Sequence, residues 1–173
     1  IFKDRKLRSV IVSEEYKFWK FISGKKFLNQ NLINLDERLL KNFYLNKGFY
    51  NVRINSSFAK MINDSEFELI YNINANNRVK FGDLELILPD DYDPENFNKI
   101  LSTFEDLKGE NYSINRIKNI LDDIDTIVLN EQFESINAIV DENLVDNVIN
   151  LKFKITETEK IFVEKINIIG NNI

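Results

Sequence analysis

The chain has 173 residues, is 43% hydrophobic and contains 14 Phe, so it can bury a core and is no disordered tail. It has no Cys and no His, which excludes a disulfide framework, thiolate metal sites, thiol catalysis and the usual histidine base or ligand. The net charge of -5 is uneven: residues 1–60 hold 13 Lys and Arg against 5 Asp and Glu, and residues 61–173 hold 10 against 23.

In chain order, a short helix is expected from Asp4 to Val12, with Asp4 as its cap and Leu7, Val10 and Ile11 on one face. Phe18, Trp19, Phe21 and Phe27 then lie among Lys17, Lys20, Lys25 and Lys26, a mixture read as aromatics pinning a long loop rather than a nucleic-acid patch. From Asn34 to Asn46, Leu35, Leu39, Leu40 and Phe43 recur at helical spacing, and Gly48 is the stop. A strand is expected over roughly Tyr50 to Lys60.

Two further stretches repeat one another. Phe67, Leu69, Tyr71 and Ile73, followed by Leu84 and Leu86, align with Ile149, Leu151, Phe153 and Ile155, followed by Ile166 and Ile168. Both alternate with period two, the mark of a half-buried strand. The offset of about 82 residues suits a small domain.

Between them, Asp93-Pro94-Glu95 reads as an N-cap with proline at the first helical position, opening a helix through Phe104. Ser113 is the expected cap of a longer helix carrying Ile117, Ile120, Leu121, Ile124, Ile127 and Val128, and a strand is expected from Phe133 to Val140. One full unit thus reads strand, helix, helix, strand, strand. The order predicts an α+β fold: a three-stranded sheet covered on one face by two helices.

The acidic clusters have plain structural readings. Asp90-Asp91-Tyr92-Asp93-Pro94-Glu95 lacks the glycine and distant Glu of a calcium loop and is explained by helix capping. Asp122, Asp123 and Asp125 fall on the polar side of their helix, as a solvated face rather than a catalytic pair. No catalytic residue, metal site or cofactor is expected.

The βααββ order resembles the POTRA modules of BamA-type proteins that assemble outer-membrane β-barrels. Three segments carry the resemblance. Val163 to Asn171 is similar to the opening strand and its Gly-Asn turn, Asn42 to Phe49 to the end of the second helix, and Glu15 to Phe21 to the loop between helices of a third module. The middle unit departs at Glu131-Gln132-Phe133, where a glycine is usual, and at Leu88-Pro89, where Gly-Asn is usual.

The resemblance implies that residues 1–75 are a third module without its first strand, 76–158 a complete fourth, and 159–173 the first strand of a fifth. It implies a periplasmic scaffold without catalysis, attached to an outer-membrane barrel. Its partners would be unfolded outer-membrane protein strands and accessory lipoproteins, with no nucleic acid. Binding would occur by β-augmentation, in which unpaired backbone groups of an edge strand take up another strand. The candidate edge is Asn51, Val52, Arg53, Ile54, Asn55, Ser56, Ser57 and Phe58, with weaker use expected from Glu134 to Val140. Phe162 to Ile169, an opening strand without its module, is expected to allow head-to-tail self-association. The alternatives are a two-partner secretion transporter and an RNA-binding α+β domain using the basic first third.

Overall fold

The computed structural model describes residues 2–13, 30–63, 66–130 and 136–157. The elements are α1 (Asp4–Arg8), α2 (Gln30–Leu45), β1 (Arg53–Asn63), β2 (Glu66–Asn74) and β3 (Lys80–Ile87), then a 3-10 turn (Pro94–Phe97), α3 (Asn98–Leu107), α4 (Ile114–Asn130), β4 (Ile136–Val145) and β5 (Val148–Glu157). Strands β1 and β2 form an antiparallel pair. The other three form a sheet in the order β3-β5-β4, with β5 central, parallel to β3 and antiparallel to β4. The βααββ unit is therefore present as expected, and the chain has the expected α+β fold.

Periodicity explains the core of this unit. In β5, Ile149, Leu151, Phe153 and Ile155 are buried to 3% exposure or less, while Lys152 and Lys154 face solvent. Against them lie Ile100, Phe104 and Leu107 of α3 and Ile117, Ile120, Ile124 and Val128 of α4, each set at helical spacing. Phe104 stacks on Phe153 with ring centroids 5.2 Å apart. Burying one such side chain contributes roughly 1.5 to 3 kcal/mol, so this layer contact holds the unit together.

β3 reaches the same core in spite of a broken alternation. Phe81 is buried and Leu84 and Leu86 are half-buried, an odd position followed by even ones. The register explains it: Phe81 pairs with Ile149 and Leu84 with Leu151, three residues opposite two. A bulge at Gly82 and Asp83 resets the phase. The β4–β5 hairpin closes through Asp146 and Asn147, both at positive φ (49° and 63°), the conformation a two-residue hairpin turn demands.

Helix ends differ in several places from the sequence reading. α1 stops at Arg8 and its N-cap is Lys3; Asp4 is only the acidic residue of the first turn. α2 begins at Gln30 rather than Asn34, and its buried stripe is Ile33, Asp36, Leu40 and Tyr44. Leu35, Leu39 and Phe43 flank that stripe, half-buried. The stripe runs through a carboxylate, which a hydrophobic pattern passes over. Asp36 is fully buried because its Oδ1 accepts the backbone N–H of Val12 (2.8 Å) and Ser13 (3.4 Å) and its Oδ2 accepts the Tyr71 hydroxyl (3.0 Å).

The expected stop at Gly48 holds in detail. The Phe49 N–H donates to the Tyr44 carbonyl (3.1 Å) and the Gly48 N–H to that of Leu45 (3.4 Å), with Gly48 at φ 91°. These bonds form a Schellman cap, completed by edge-to-face contact of Tyr44 and Phe49 at 5.6 Å. At the next helix, Asp93 caps as expected: its Oδ1 accepts the Glu95 N–H at 2.9 Å, just before Pro94 opens the 3-10 turn.

Candidate functional site: the strand edges

A β-sheet offers binding groups only where its outer strands leave N–H and C=O unpaired. In the β3-β5-β4 sheet the two edges differ. Along β3, the Phe81 N–H donates to the Glu110 carbonyl and the Phe81 carbonyl accepts the Gly109 N–H, both at 2.9 Å. Lys80 and Asn111 complete an isolated antiparallel bridge. Just beyond, the bulge turns the Asp83 N–H onto Asn150 Oδ1 at 2.8 Å. Gly82 is required there, since a Cβ would lie 2.1 Å from Asn150 Oδ1 and 2.7 Å from Val148 Cγ1. The first half of the β3 edge is thus closed.

β4 has no such cover. It pairs with β5 at ten successive positions, and among the described residues no strand pairs with its other side. Across the sheet, Lys152 stands between Glu85, whose Oε2 lies 3.0 Å from its Nζ, and Asp141, its opposite number on β4. Ile139 is exposed (44%), as is Val145 (53%), so this open edge is both apolar and acidic. The sequence placed a strand at Phe133 to Val140; β4 runs on to Val145, because polar Asp141 to Asn143 lie opposite β5 on an edge where their side chains stay in water. Phe133 and Glu134 fall outside the described residues.

The candidate edge of the first unit falls largely on β1. Arg53, Ile54, Asn55, Ser56, Ser57 and Phe58 lie in the strand, paired with β2 on one side and with no other described strand. Arg53 is exposed and Ile54 half-buried. The register shifts between Ile54 and Ser56, leaving Asn55 as a bulge. Asn51 and Val52 lie before the strand, a correction with a clear cause. The Val52 N–H donates to the Phe49 carbonyl at 3.2 Å, and the Asn51 carbonyl accepts from Asn76 Nδ2 at 2.6 Å. Val52 is buried in the core at 5% exposure. Both residues are spent on the turn between α2 and β1.

That turn also holds side chains which the sequence reading missed. The Tyr50 hydroxyl donates to Glu142 Oε2 on β4, and its ring packs edge-on against Tyr112 at 5.0 Å. The bond to Glu142, with burial second, pushes the Tyr50 hydroxyl up to about 12. Ser113 stands at the N-cap position of α4, but the cap atom comes from Asn46. Asn46 Oδ1 accepts the Asn115 N–H (2.9 Å) and the Ser113 hydroxyl (2.8 Å). A glycine inside a strand pattern was the one sequence signal for the bulge at Gly82; the Tyr50 and Asn46 contacts span 67 to 92 residues and left no local trace.

The acidic residues take the structural roles expected of them. Asp123 pairs with Lys99 at 3.0 Å across the two exposed helix faces. Among the described residues no group of three or more acidic side chains could hold a metal ion, and no helix is long and apolar enough to cross a membrane. The aromatic and basic residues from Lys17 to Phe27, and the strand Phe162 to Ile169, lie outside the described residues.

Comparison with known proteins agrees with this geometry. Residues 1–76 match the family model of POTRA, the surface antigen variable number repeat. The outer membrane protein assembly factor BamA of Buchnera aphidicola subsp. Acyrthosiphon pisum (strain APS) is 23% identical over 175 residues, covering 99% of this chain. The chain spans only 28% of that relative's length. Among solved structures, Haemophilus influenzae BamA POTRA3-5 superposes with a TM-score of 0.66 at 14% identity, covering 99% of this chain and 67% of that one. BamA from Haemophilus ducreyi lacking POTRA domains 1-3 gives 0.57 at 12% identity, covering 80% of this chain and 25% of that one. The match over residues 1–76 and the superposition of the whole chain point the same way: the chain has the fold of the POTRA modules seen in BamA structures.

Proposed function

We propose that this chain is part of the periplasmic scaffold of an outer-membrane protein assembly machine, acting by strand capture and without catalysis. The observation that carries the proposal is the likeness to BamA proteins along 99% of the chain, in sequence and in fold. On that basis residues 1–75, 76–158 and 159–173 are read as the third module, the fourth and the opening of a fifth. The superposition on a POTRA3-5 fragment supports this numbering. The chain faces the periplasm beside a membrane-embedded barrel, and its partners are unfolded barrel strands and accessory lipoproteins.

Strand capture suits this task physically. Barrel strands share an alternating pattern but no common sequence, and an edge recognises backbone groups that every strand carries. The β1 edge from Arg53 to Phe58 is the proposed capture site of the first unit, and β4 that of the second. Charged Arg53 and Lys60 on β1 also keep the edge from pairing with copies of itself.

The test is a titration of isotopically labelled chain with a synthetic ten-residue peptide of alternating apolar and polar residues, followed at backbone amides. Shifts and slowed exchange confined to β1, β4 or both are expected. Shifts scattered over the helices, or no change at saturating peptide, would overturn strand capture by this chain.

A further inference from the structure

We propose that Asp141 makes the β4 edge selective for strands that carry a lysine or arginine, and sets where along β4 such a strand sits. The proposal rests on the reading of β4 as a capture edge, and it names the class of strand which that edge takes.

The solvent face of the sheet is ordered in rows that run across its strands. Glu85 of β3, Lys152 of β5 and Asp141 of β4 lie opposite one another, so one row reads acid, base, acid. Lys152 Nζ lies 3.0 Å from Glu85 Oε2, so the base is engaged on the side away from Asp141. The row therefore ends at the open edge on an exposed carboxylate. The rows on either side end there without charge: Ile139, 44% exposed, faces Lys154, and Asn143 faces Asn150.

The hollow beside this edge has the same sign. It holds about 400 Å³, and its charged lining is Asp83, Glu85, Asp141 and Glu142 against Lys152. Asp83 pairs with Lys108 at 2.6 Å, Glu85 with Lys152, and Glu142 accepts from the Tyr50 hydroxyl. Asp141 is the acid of this lining with no bonded partner among the described residues.

A strand added to β4 sets one residue directly opposite Asp141, with Cβ atoms about 4.5 to 5.5 Å apart. A Lys or Arg there extends the row to acid, base, acid, base. An acid there meets Asp141 at close range as water leaves the edge. Slipping the strand by two residues keeps the base on this face but moves it opposite Ile139 or Asn143, where no charge awaits it. An opposite-charge pair across strands gains up to about fivefold in affinity, and a like-charge pair loses a comparable factor.

The test uses three alternating Thr-Val peptides with Lys, Gln or Glu at one central position of the Thr face. Each is titrated into the isotopically labelled chain and read at the amides of β4. The Lys peptide is expected to bind about three- to fivefold more tightly than the Gln peptide, and about tenfold more tightly than the Glu peptide. In Asp141→Asn the Lys and Gln peptides should come within about twofold of each other. Equal binding of the three peptides to the unaltered chain would overturn the selection and leave strand capture at β4 standing. So would a preference for Lys that persists in Asp141→Asn. If none of the peptides shifts the β4 amides, capture at β4 itself falls, and the selection with it.

Discussion

Asp36 provides a sharp test of how the first unit is held together. Its carboxylate is fully buried and accepts from two backbone N–H groups and one tyrosine hydroxyl. It thereby ties the segment after α1 to α2 and β2. Asp36→Ala deletes both acceptor oxygens, and with them all three bonds, and strands the Tyr71 hydroxyl and the Val12 N–H. Bonds to a charged group are worth about 1.5 to 3 kcal/mol, and a stranded buried donor costs about 1 to 3 kcal/mol. Allowing for water entering the gap, we expect a loss of about 3 to 5 kcal/mol. Asp36→Asn keeps the shape and one acceptor oxygen, and the loss falls to about 1 to 2 kcal/mol. For a chain of this length about 1 kcal/mol moves the melting temperature by roughly 2 to 4 °C, so the alanine variant should melt about 10 °C lower. Thermal and urea unfolding by circular dichroism measure both. The reasoning fails if the two variants lose equally, or if alanine costs less than the asparagine.

Two further outcomes follow from the same geometry. Gly82→Ala should cost about 1 to 3 kcal/mol, because its new methyl would drive Asn150 off the Asp83 N–H; in the background of Asn150→Ala the same change should cost clearly less, a non-additivity that urea melts of the four chains will read. Tyr50, Tyr71 and Tyr112 all hold their protons more tightly than an ordinary tyrosine at 10, Tyr50 chiefly through Glu142 and the other two chiefly through burial. A raised value favours the folded state fully below pH of about 10, and that contribution is lost as the pH climbs through the folded values. Melting temperature should therefore fall above pH of about 10, and Tyr50→Phe and Tyr112→Phe should each blunt the fall.

Legibility in the sequence followed the range of the interaction. β5 was plain because Ile149, Leu151, Phe153 and Ile155 alternate without a break, and α3 and α4 were plain because single faces carry their apolar residues. Caps built from neighbours, Gly48 and Asp93, were also readable, since the chemistry lies within six residues of the helix end. Ser113 was read as a cap because serine at that position usually serves as one. Asn46, 69 residues before Asn115, supplies the atom instead. Asp36 was overlooked because burial of a carboxylate depends on donors 23, 24 and 35 residues away. The end of β4 was missed for a related reason: Asp141 to Asn143 look like a loop until β5 lies beside them.

The difference between the two edges of the second sheet bears directly on the proposed scaffold role. A sheet with two open edges can polymerise, since each copy offers both a donor and an acceptor edge to the next. Here the start of β3 is closed by residues 109 to 111 and by its own bulge, which leaves β4, among the described residues, as the edge able to pair along its whole length. The open edges also differ in charge. β1 carries Arg53 and Lys60, whereas β4 carries Asp141 and Glu142, all of them exposed. Two copies meeting β4 to β4 or β1 to β1 bring like charges together, at a cost that grows as water is excluded. An incoming strand with few charges meets no such barrier. The same backbone groups can then receive a neutral, alternating segment while each edge resists pairing with the like edge of another copy, as the proposed scaffold role requires.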